Sequence, residues 1–136
     1  MFPVCRQAGY VTFEIIKNIH MKNKIRVIFE GGFKSCCNVF SADQLKVFTN
    51  SWFDKYPDID FDIIDIEYTP WKSEPMAEFA YKHLKKEAFP LTYCNDILVS
   101  LAHFPERDEI FEHIKNTVPL TEDQILKQAE EVKQNL

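Results

Sequence analysis

Long apolar runs are missing from this chain of 136 residues. No stretch approaches the roughly 20 consecutive apolar residues that a membrane-spanning helix needs. The first residues also lack the apolar core of a secretory signal peptide. We therefore expect a soluble, cytoplasmic protein that has no membrane as a partner.

An excess of positive charge is missing as well. The chain has 16 Lys and Arg residues against 21 Asp and Glu residues, which gives a formal net charge of −5. Its basic residues are scattered along the sequence, whereas a nucleic-acid-binding protein presents a clustered basic surface to the phosphate backbone. The sequence therefore argues against a nucleic-acid partner.

Glycine and histidine are scarce. The pair Gly31-Gly32 is not followed by the Gly-Lys-Ser/Thr of a phosphate-binding loop, so a nucleotide site of that type is excluded. The four histidines, at positions 20, 83, 103 and 113, show neither zinc-finger spacing nor a Ser-His-Asp order. We expect no cofactor, and His103 is interpreted as a partly exposed structural residue.

Four cysteines are present, at positions 5, 36, 37 and 94. Thiols in a reducing compartment are more often free, catalytic or metal-binding than paired, so we expect no structural disulfide. Cys94 lies in an apolar segment next to a predicted turn. It is therefore interpreted as a small core residue.

The periodicity of apolar residues predicts a regular order of elements between residues 24 and 117. A chain that is 46% hydrophobic and 14% aromatic can bury one core. The predicted elements are a strand over 24–30, a helix with apolar Leu45, Phe48, Trp52 and Tyr56, an edge strand over 58–68, a helix over 73–87, a hairpin around Asn95-Asp96, and a helix that begins after Pro105. The first helix begins at the Ser41-x-x-Gln44 capping pattern or earlier, at Ser35, and ends at Pro57.

This order of strands and helices predicts an α/β protein of thioredoxin-like type. Its four-stranded mixed sheet is flanked by helices. The predicted division is an N-terminal extension over 1–23, in which Tyr10–Ile16 would form an added strand, a thioredoxin-like domain over 24–117, and an extra C-terminal helix over 118–136. That last helix has one apolar stripe, which we expect to pack on the domain: Ile125, Ala129, Val132 and Leu136.

Two adjacent cysteines, Cys36 and Cys37, follow the first predicted strand and precede a predicted helix. Unpaired N–H groups and the dipole at a helix N-terminus stabilise a thiolate, and the nearby positive charge of Lys34 would add to this effect. The position therefore predicts a reactive thiol. Neighbouring Cα atoms are only ~3.8 Å apart, so a Cys36–Cys37 disulfide would be strained.

Four short motifs stand out between residues 35 and 91: Ser35-Cys36-x-Asn38, Lys55-Tyr56-Pro57, Ile64-Asp65-Ile66 and Phe89-Pro90-Leu91. Together they resemble the YuzD-like family of thioredoxin-fold disulfide oxidoreductases. The resemblance covers about residues 24–117 and implies a redox role for Cys36. Family members have a Cys-x-x-Cys pair whose second cysteine aligns with Cys36. Phe33 occupies the position of the first, so an intramolecular dithiol pair is not implied here.

A second resemblance is to the ArsD family of arsenic chaperones. It rests on the vicinal cysteines, on Pro90-Leu91 and on Phe104–Ile110. It implies that Cys36 and Cys37 together bind a soft metal or metalloid. The family's third cysteine has no counterpart among residues 38–43. A third alternative is an interaction module that has kept the fold and lost the chemistry.

We take thiol–disulfide exchange as the leading hypothesis. Cys36 would attack, and Cys37 or glutathione would resolve the mixed disulfide. Lys34, Phe89 and Pro90 would contact the substrate, a protein or small-molecule thiol or disulfide, while the oligomeric state stays open. Because Pro90 immediately precedes the third strand of this order, the resemblance to thioredoxin-fold proteins further implies that the Phe89-Pro90 peptide bond is cis and that Pro90 lies beside Cys36.

Overall fold

The computed structural model describes residues 22–35 and 37–134. The predictions for Cys5, for an added strand over Tyr10–Ile16, for Cys36 and for Leu136 lie outside these residues. None of the helices in the described ranges combines the length and the apolar composition that crossing a bilayer requires.

The described chain is a mixed α/β structure built on a four-stranded sheet. Its elements in chain order are β1 (Asn23–Phe29), β2 (Phe33–Ser35), β3 (Asn38–Phe40), α1 (Ala42–Thr49), β4 (Ile59–Asp65), α2 (Pro75–Leu84), a 3₁₀ turn (Lys85–Ala88), β5 (Leu91–Cys94), β6 (Ile97–Ser100), α3 (Arg107–Lys115) and α4 (Glu122–Gln134). The strand order in the sheet is β4-β1-β5-β6. A separate two-stranded hairpin is formed by β2 and β3.

The first strand, β1, lies in the interior of the sheet. It is parallel to β4 on one side and antiparallel to β5 on the other, with Val27 opposite Ile63 and Thr92. Both faces of β1 are buried, which explains its nearly continuous apolar sequence. β4 lies at the sheet edge, as its alternation of acidic and apolar residues predicts.

A tight turn at Asn95-Asp96 joins β5 to β6, as the sequence predicts. Both residues have positive φ, 52° and 69°, which is the conformation that a two-residue hairpin turn requires and that Asn and Asp tolerate. The Asn95 side chain also accepts a hydrogen bond from the backbone N–H of Lys24 at 2.8 Å. This contact ties the turn to the beginning of β1.

The first helix, α1, is shorter than its apolar spacing suggests. The predicted capping box at Ser41 and Gln44 is present, but the helix ends at Thr49 and the aromatic residues beyond it lie in turns. The Thr-Asn-Ser sequence at the end of α1 has low helix propensity, because these side chains compete for backbone hydrogen bonds. Trp52 nevertheless packs against Phe61 of β4, with ring centroids 6.1 Å apart.

The hairpin of β2 and β3 was not expected. The sequence places a helix directly after the cysteine pair, or even at Ser35, whereas the structure inserts two three-residue strands before α1. Gly31 and Gly32, with φ values of 75° and 87°, turn the chain out of β1 and into this hairpin.

The C-terminal helix α4 packs within the same chain, as predicted. Its stripe residues Ile125 and Ala129 are buried in one core cluster with Ile28 of β1 and Ala80 and Leu84 of α2. Thr121 and Gln124 exchange side-chain and backbone hydrogen bonds at the start of the helix, and this reciprocal pair caps it. α4 therefore completes one face of the sheet.

Candidate functional site

A cleft of about 1010 Å³ opens where β1 ends and β5 begins. The chain segments around it come from the turn after β1, the start of the hairpin, the end of α2, the approach to β5, and α4. The lining residues are Phe29, Glu30, Gly31, Gly32, Phe33, Lys34, Glu67, Tyr81, Lys86, Glu87, Phe89, Pro90, Ala102, Gln128 and Val132. This cleft is our candidate binding site, because it is a sizeable concave surface to which several separate chain segments contribute.

Three of the residues predicted to contact substrate meet in this cleft. Lys34 comes from the hairpin, while Phe89 and Pro90 come from the segment before β5. The Phe89-Pro90 peptide bond is cis, as the thioredoxin-like order predicts. The backbone N–H of Ala102 donates to the carbonyl oxygens of Ala88 at 2.9 Å and Pro90 at 3.0 Å, which fixes this segment against the chain after β6.

Cys37, one of the two predicted reactive cysteines, is not at a helix N-terminus. Cys37 is an exposed free thiol in the turn of the hairpin, and Ser41, the N-cap of α1, follows four residues later. The dipole of α1 acts only over the first turn of the helix, so it does not reach the Cys37 thiol. The predicted stabilisation of a thiolate by a helix N-terminus is therefore wrong for Cys37. Cys37 is also absent from the cleft lining. Cys36 lies outside the described residues, so its predicted position next to Pro90 stays a prediction.

The carboxylate of Asp65, the last residue of β4, binds three backbone N–H groups of residues that line the cleft. Asp65 Oδ1 accepts hydrogen bonds from the backbone N–H groups of Gly31 and Glu67, both at 3.0 Å. Asp65 Oδ2 accepts one from the N–H of Gly32 at 2.8 Å. Asp65 is only 4% exposed. The sequence assigned it to an acidic edge strand and gave no signal for this role.

The cleft has a mixed character. Phe33, Phe89 and Tyr81 supply aromatic surface, while two lysines and three glutamates give it both signs of charge. The charged cleft residues are Glu30, Lys34, Glu67, Lys86 and Glu87. A mixed surface of this kind suits a peptide or another ligand that has apolar and zwitterionic parts, and it offers no one-sided field for a polyanion.

A partly buried hydrogen bond fixes α2, which contributes Tyr81 to the cleft. Glu74, the N-cap of α2, accepts from the backbone N–H groups of Met76 and Ala77 and from the hydroxyl of Tyr93 on β5 at 2.8 Å. Burial, together with the hydrogen bond to Glu74 and its negative charge, raises the pKa of Tyr93 well above its ordinary value. Tyr93 therefore acts as a permanent donor that anchors α2 to the sheet.

Cys94 is the small core residue that its apolar segment predicts. Its side chain is fully buried, and its Sγ lies 3.6 Å from the carbonyl oxygen of His113. It belongs to the core cluster of Ile25, Val99 and Ile110, on the face that packs against α3.

The structure also reveals a histidine–carboxylate group that the sequence did not predict, formed by Glu109 and His113 on α3 and by His103 before it. His103 Nε2 lies 2.6 Å from Glu109 Oε2, and His113 Nε2 lies 3.6 Å from the same oxygen. Burial acts to raise the pKa of Glu109. The hydrogen bond from His103, the backbone N–H of Glu106 and the two imidazoles outweigh burial, so the pKa lies below its ordinary value of 4.5. Half of the His103 side chain is exposed, in line with its predicted structural role.

The lowered pKa of Glu109 predicts a pH-dependent contribution to stability. Glu109→Gln should lower the free energy of unfolding at pH 7 by up to about 1 kcal/mol, the scale of a partly exposed pair. A carboxylate whose pKa is lower in the folded state stabilises above its unfolded pKa, and that contribution disappears as the pH falls through the folded pKa. Urea unfolding of both proteins between pH 7 and pH 3 should therefore show converging midpoints, whereas Glu112→Gln on the exposed side of α3 should give a constant difference.

In the described ranges, no three His, Cys, Asp or Glu side chains converge in a way that would hold a metal ion.

No protein-family model matches the chain, and no curated protein sequence matches it either. A solved structure of a protein of unknown function from Staphylococcus aureus is similar to it, with 19% identity and a TM-score of 0.46. The alignment covers 71% of this chain and 91% of that one.

Proposed function

We propose that this chain is a thioredoxin-like thiol protein that exchanges disulfides through Cys36, with its substrate docked in the cleft beside Pro90. The observation that carries the proposal is the meeting of Lys34, Phe89 and Pro90 in one large cleft at the end of the interior strand. Ligands of open α/β sheets bind outside the carboxyl ends of the parallel strands, and this cleft has that position.

The sheet supports the thioredoxin-like assignment. A parallel pair, β1 and β4, is joined by a helical crossover, and an antiparallel hairpin, β5 and β6, is added on the other side of β1. The element order strand, helix, strand, helix, strand, strand, helix is kept when the inserted hairpin and α4 are set aside.

The chemistry needs two thiols and a substrate disulfide. The Cys36 thiolate attacks one sulfur of the substrate disulfide, so a mixed disulfide forms and the other substrate sulfur leaves as a thiolate that takes up a proton. The thiolate of Cys37, or of glutathione, then attacks Cys36 Sγ and releases the second substrate sulfur. The substrate is reduced by two electrons, and the pair of attacking thiols is oxidised. The exposure of the Cys37 thiol supports its resolving role.

Serine variants test the proposal directly. The initial rate at which a glutathionylated peptide is reduced in the presence of glutathione should fall to the uncatalysed background in Cys36→Ser. In Cys37→Ser it should fall partly, because glutathione replaces the resolving thiol. Cys5→Ser is the matched control and should keep the full rate.

Two outcomes would contradict the proposal. If the reduced native protein gave only the background rate, the exchange function would be lost. If it gave that rate while binding arsenite or Cu(I) tightly through both thiols, the alternative of a vicinal soft-metal site would take its place. If the protein showed neither disulfide exchange nor metal binding, that result would indicate an interaction module.

A further inference from the structure

The three backbone amides that bind Asp65 all belong to residues that line the cleft. Gly31, Gly32 and Glu67 face the cleft on one side and donate their N–H groups to the Asp65 carboxylate on the other. Asp65 itself is absent from the lining. Both of its oxygens accept hydrogen bonds, so it has the arrangement of a buried anchor rather than an acid or base that reaches the ligand.

The anchored turn also directs the hairpin. Gly31 and Gly32 both have positive φ, and a Cβ atom on Gly32 would lie 2.7 Å from Val39 Cγ1 and 3.2 Å from the carbonyl oxygen of Phe40. The hairpin therefore packs directly on the turn. Any movement of the turn must move Lys34 and the Cys37 thiol relative to Pro90.

We propose that Asp65 is a positioning residue that sets the distance between the tip of the hairpin, where Cys37 lies, and a ligand docked in the cleft. The inference deepens the proposed function and rests on it. The expected consequence is selective, because misplacing a thiol affects only substrates held by the cleft. A small disulfide that reacts without docking in the cleft does not depend on Asp65.

Asp65→Asn tests this selectivity. The new amide can keep its oxygen toward Gly31 and Glu67, but its NH₂ group then faces the N–H of Gly32 and that hydrogen bond is lost. We expect kcat/KM for a glutathionylated peptide to fall about tenfold, since displacements of 1 Å cost up to ~10²-fold. The rate with bis(2-hydroxyethyl) disulfide should stay within about twofold, because exchange with a small disulfide depends on thiolate character and access.

Asp62→Asn is the matched control. Asp62 lies on the same strand, its side chain is 43% exposed, and it contacts Lys46 at 3.4 Å away from the cleft. This variant should change neither rate. Equal losses in Asp65→Asn for the peptide and the small disulfide, or a loss of the same size in Asp62→Asn, would overturn the positioning role.

Amide hydrogen exchange supplies a readout that does not depend on thiol chemistry, and its first measurement needs only the native protein. In the native protein the amides of Gly31 and Glu67 should exchange slowly, although both residues are exposed at the surface. In Asp65→Asn the Gly32 amide should exchange about tenfold faster, which corresponds to one lost hydrogen bond. Rapid hydrogen exchange at all three amides in the native protein would refute the role of Asp65 as an anchor. Slow hydrogen exchange at these amides in a protein that lacks thiol–disulfide exchange activity would refute only the proposed function.

Discussion

Deletion of residues 120–136 should remove several kcal/mol of folding free energy. The deletion takes away Ile125 and Ala129, which are 1% and 6% exposed in the largest core cluster, and leaves an apolar face of α2 without cover. It also breaks the hydrogen bond from the backbone N–H of Leu120 to the carbonyl oxygen of Leu98 at 3.0 Å. Since loss of one large buried aliphatic side chain costs about 2–5 kcal/mol, we expect at least that reduction. Urea denaturation followed by tryptophan fluorescence measures it.

Point variants on α4 distinguish the effect of lost core packing from the effect of deleting the whole segment. Ile125→Ala should lower the free energy of unfolding by about 2–4 kcal/mol, whereas Leu126→Ala, at a side chain that is 42% exposed, should change it by less than about 1 kcal/mol. If the deletion left the unfolding midpoint unchanged and abolished self-association instead, the stripe would serve another chain and the intramolecular packing would be wrong.

Gly32→Ala should be the most damaging single substitution in the turn after β1. A side chain at φ 87° is strained in itself, and the added Cβ would meet Val39 Cγ1 at 2.7 Å. Both effects act at once, so we expect a loss of about 2–3 kcal/mol in the free energy of unfolding. The peptide-disulfide rate should fall as well, because the hairpin must move away from the cleft to make room.

Gly31→Ala is the control for the contribution of the clash. Gly31 has a similar φ of 75°, but its added Cβ would meet only the flexible end of the Glu67 side chain, at 3.1 Å. It should cost about 1 kcal/mol, the backbone contribution alone. Combining Gly32→Ala with Val39→Ala should recover part of the difference between the two variants. Equal costs for the two single variants, or no recovery in the double variant, would show that Val39 does not restrain the turn.

The main elements of the sheet could be predicted because their signals are local. Alternation of apolar and acidic residues indicates β4, and Asn95-Asp96 indicates the turn between β5 and β6. The capping pattern at Ser41 gives the start of α1. Each of these signals is confined to a few neighbouring residues and needs no tertiary contact.

The hairpin between β1 and α1 could not be predicted in the same way. Strands of three residues are too short to show a period of two, and the pair Cys36-Cys37 between them is not a turn signature. What stabilises the hairpin is tertiary: Phe33 packs against Phe104, 71 residues later, with ring centroids 5.4 Å apart. A contact of that sequence separation leaves no trace in the local pattern.

The candidate site was predictable only in part, for a similar reason. Lys34 could be chosen because it lies close to the cysteine pair in the sequence, and Phe89 and Pro90 because of the resemblance to thioredoxin-fold proteins. Asp65 could not, because its role depends on three amides that are 2 to 34 residues away and on its burial. A short acidic alternation does not distinguish an anchor from a solvated edge charge.

The hairpin of β2 and β3 can change in length without a change in the four-stranded sheet. Because Lys34 pairs with Val39 and Ser35 with Asn38, one residue added to each strand would extend the tip by about 3.4 Å and turn its side chains to the opposite face. Two residues on each strand would restore the face at twice the reach. Neither change touches the register of the four-stranded sheet. Under the proposed function, the depth at which a thiol meets its ligand would therefore follow from the length of this hairpin, which can change independently of the core.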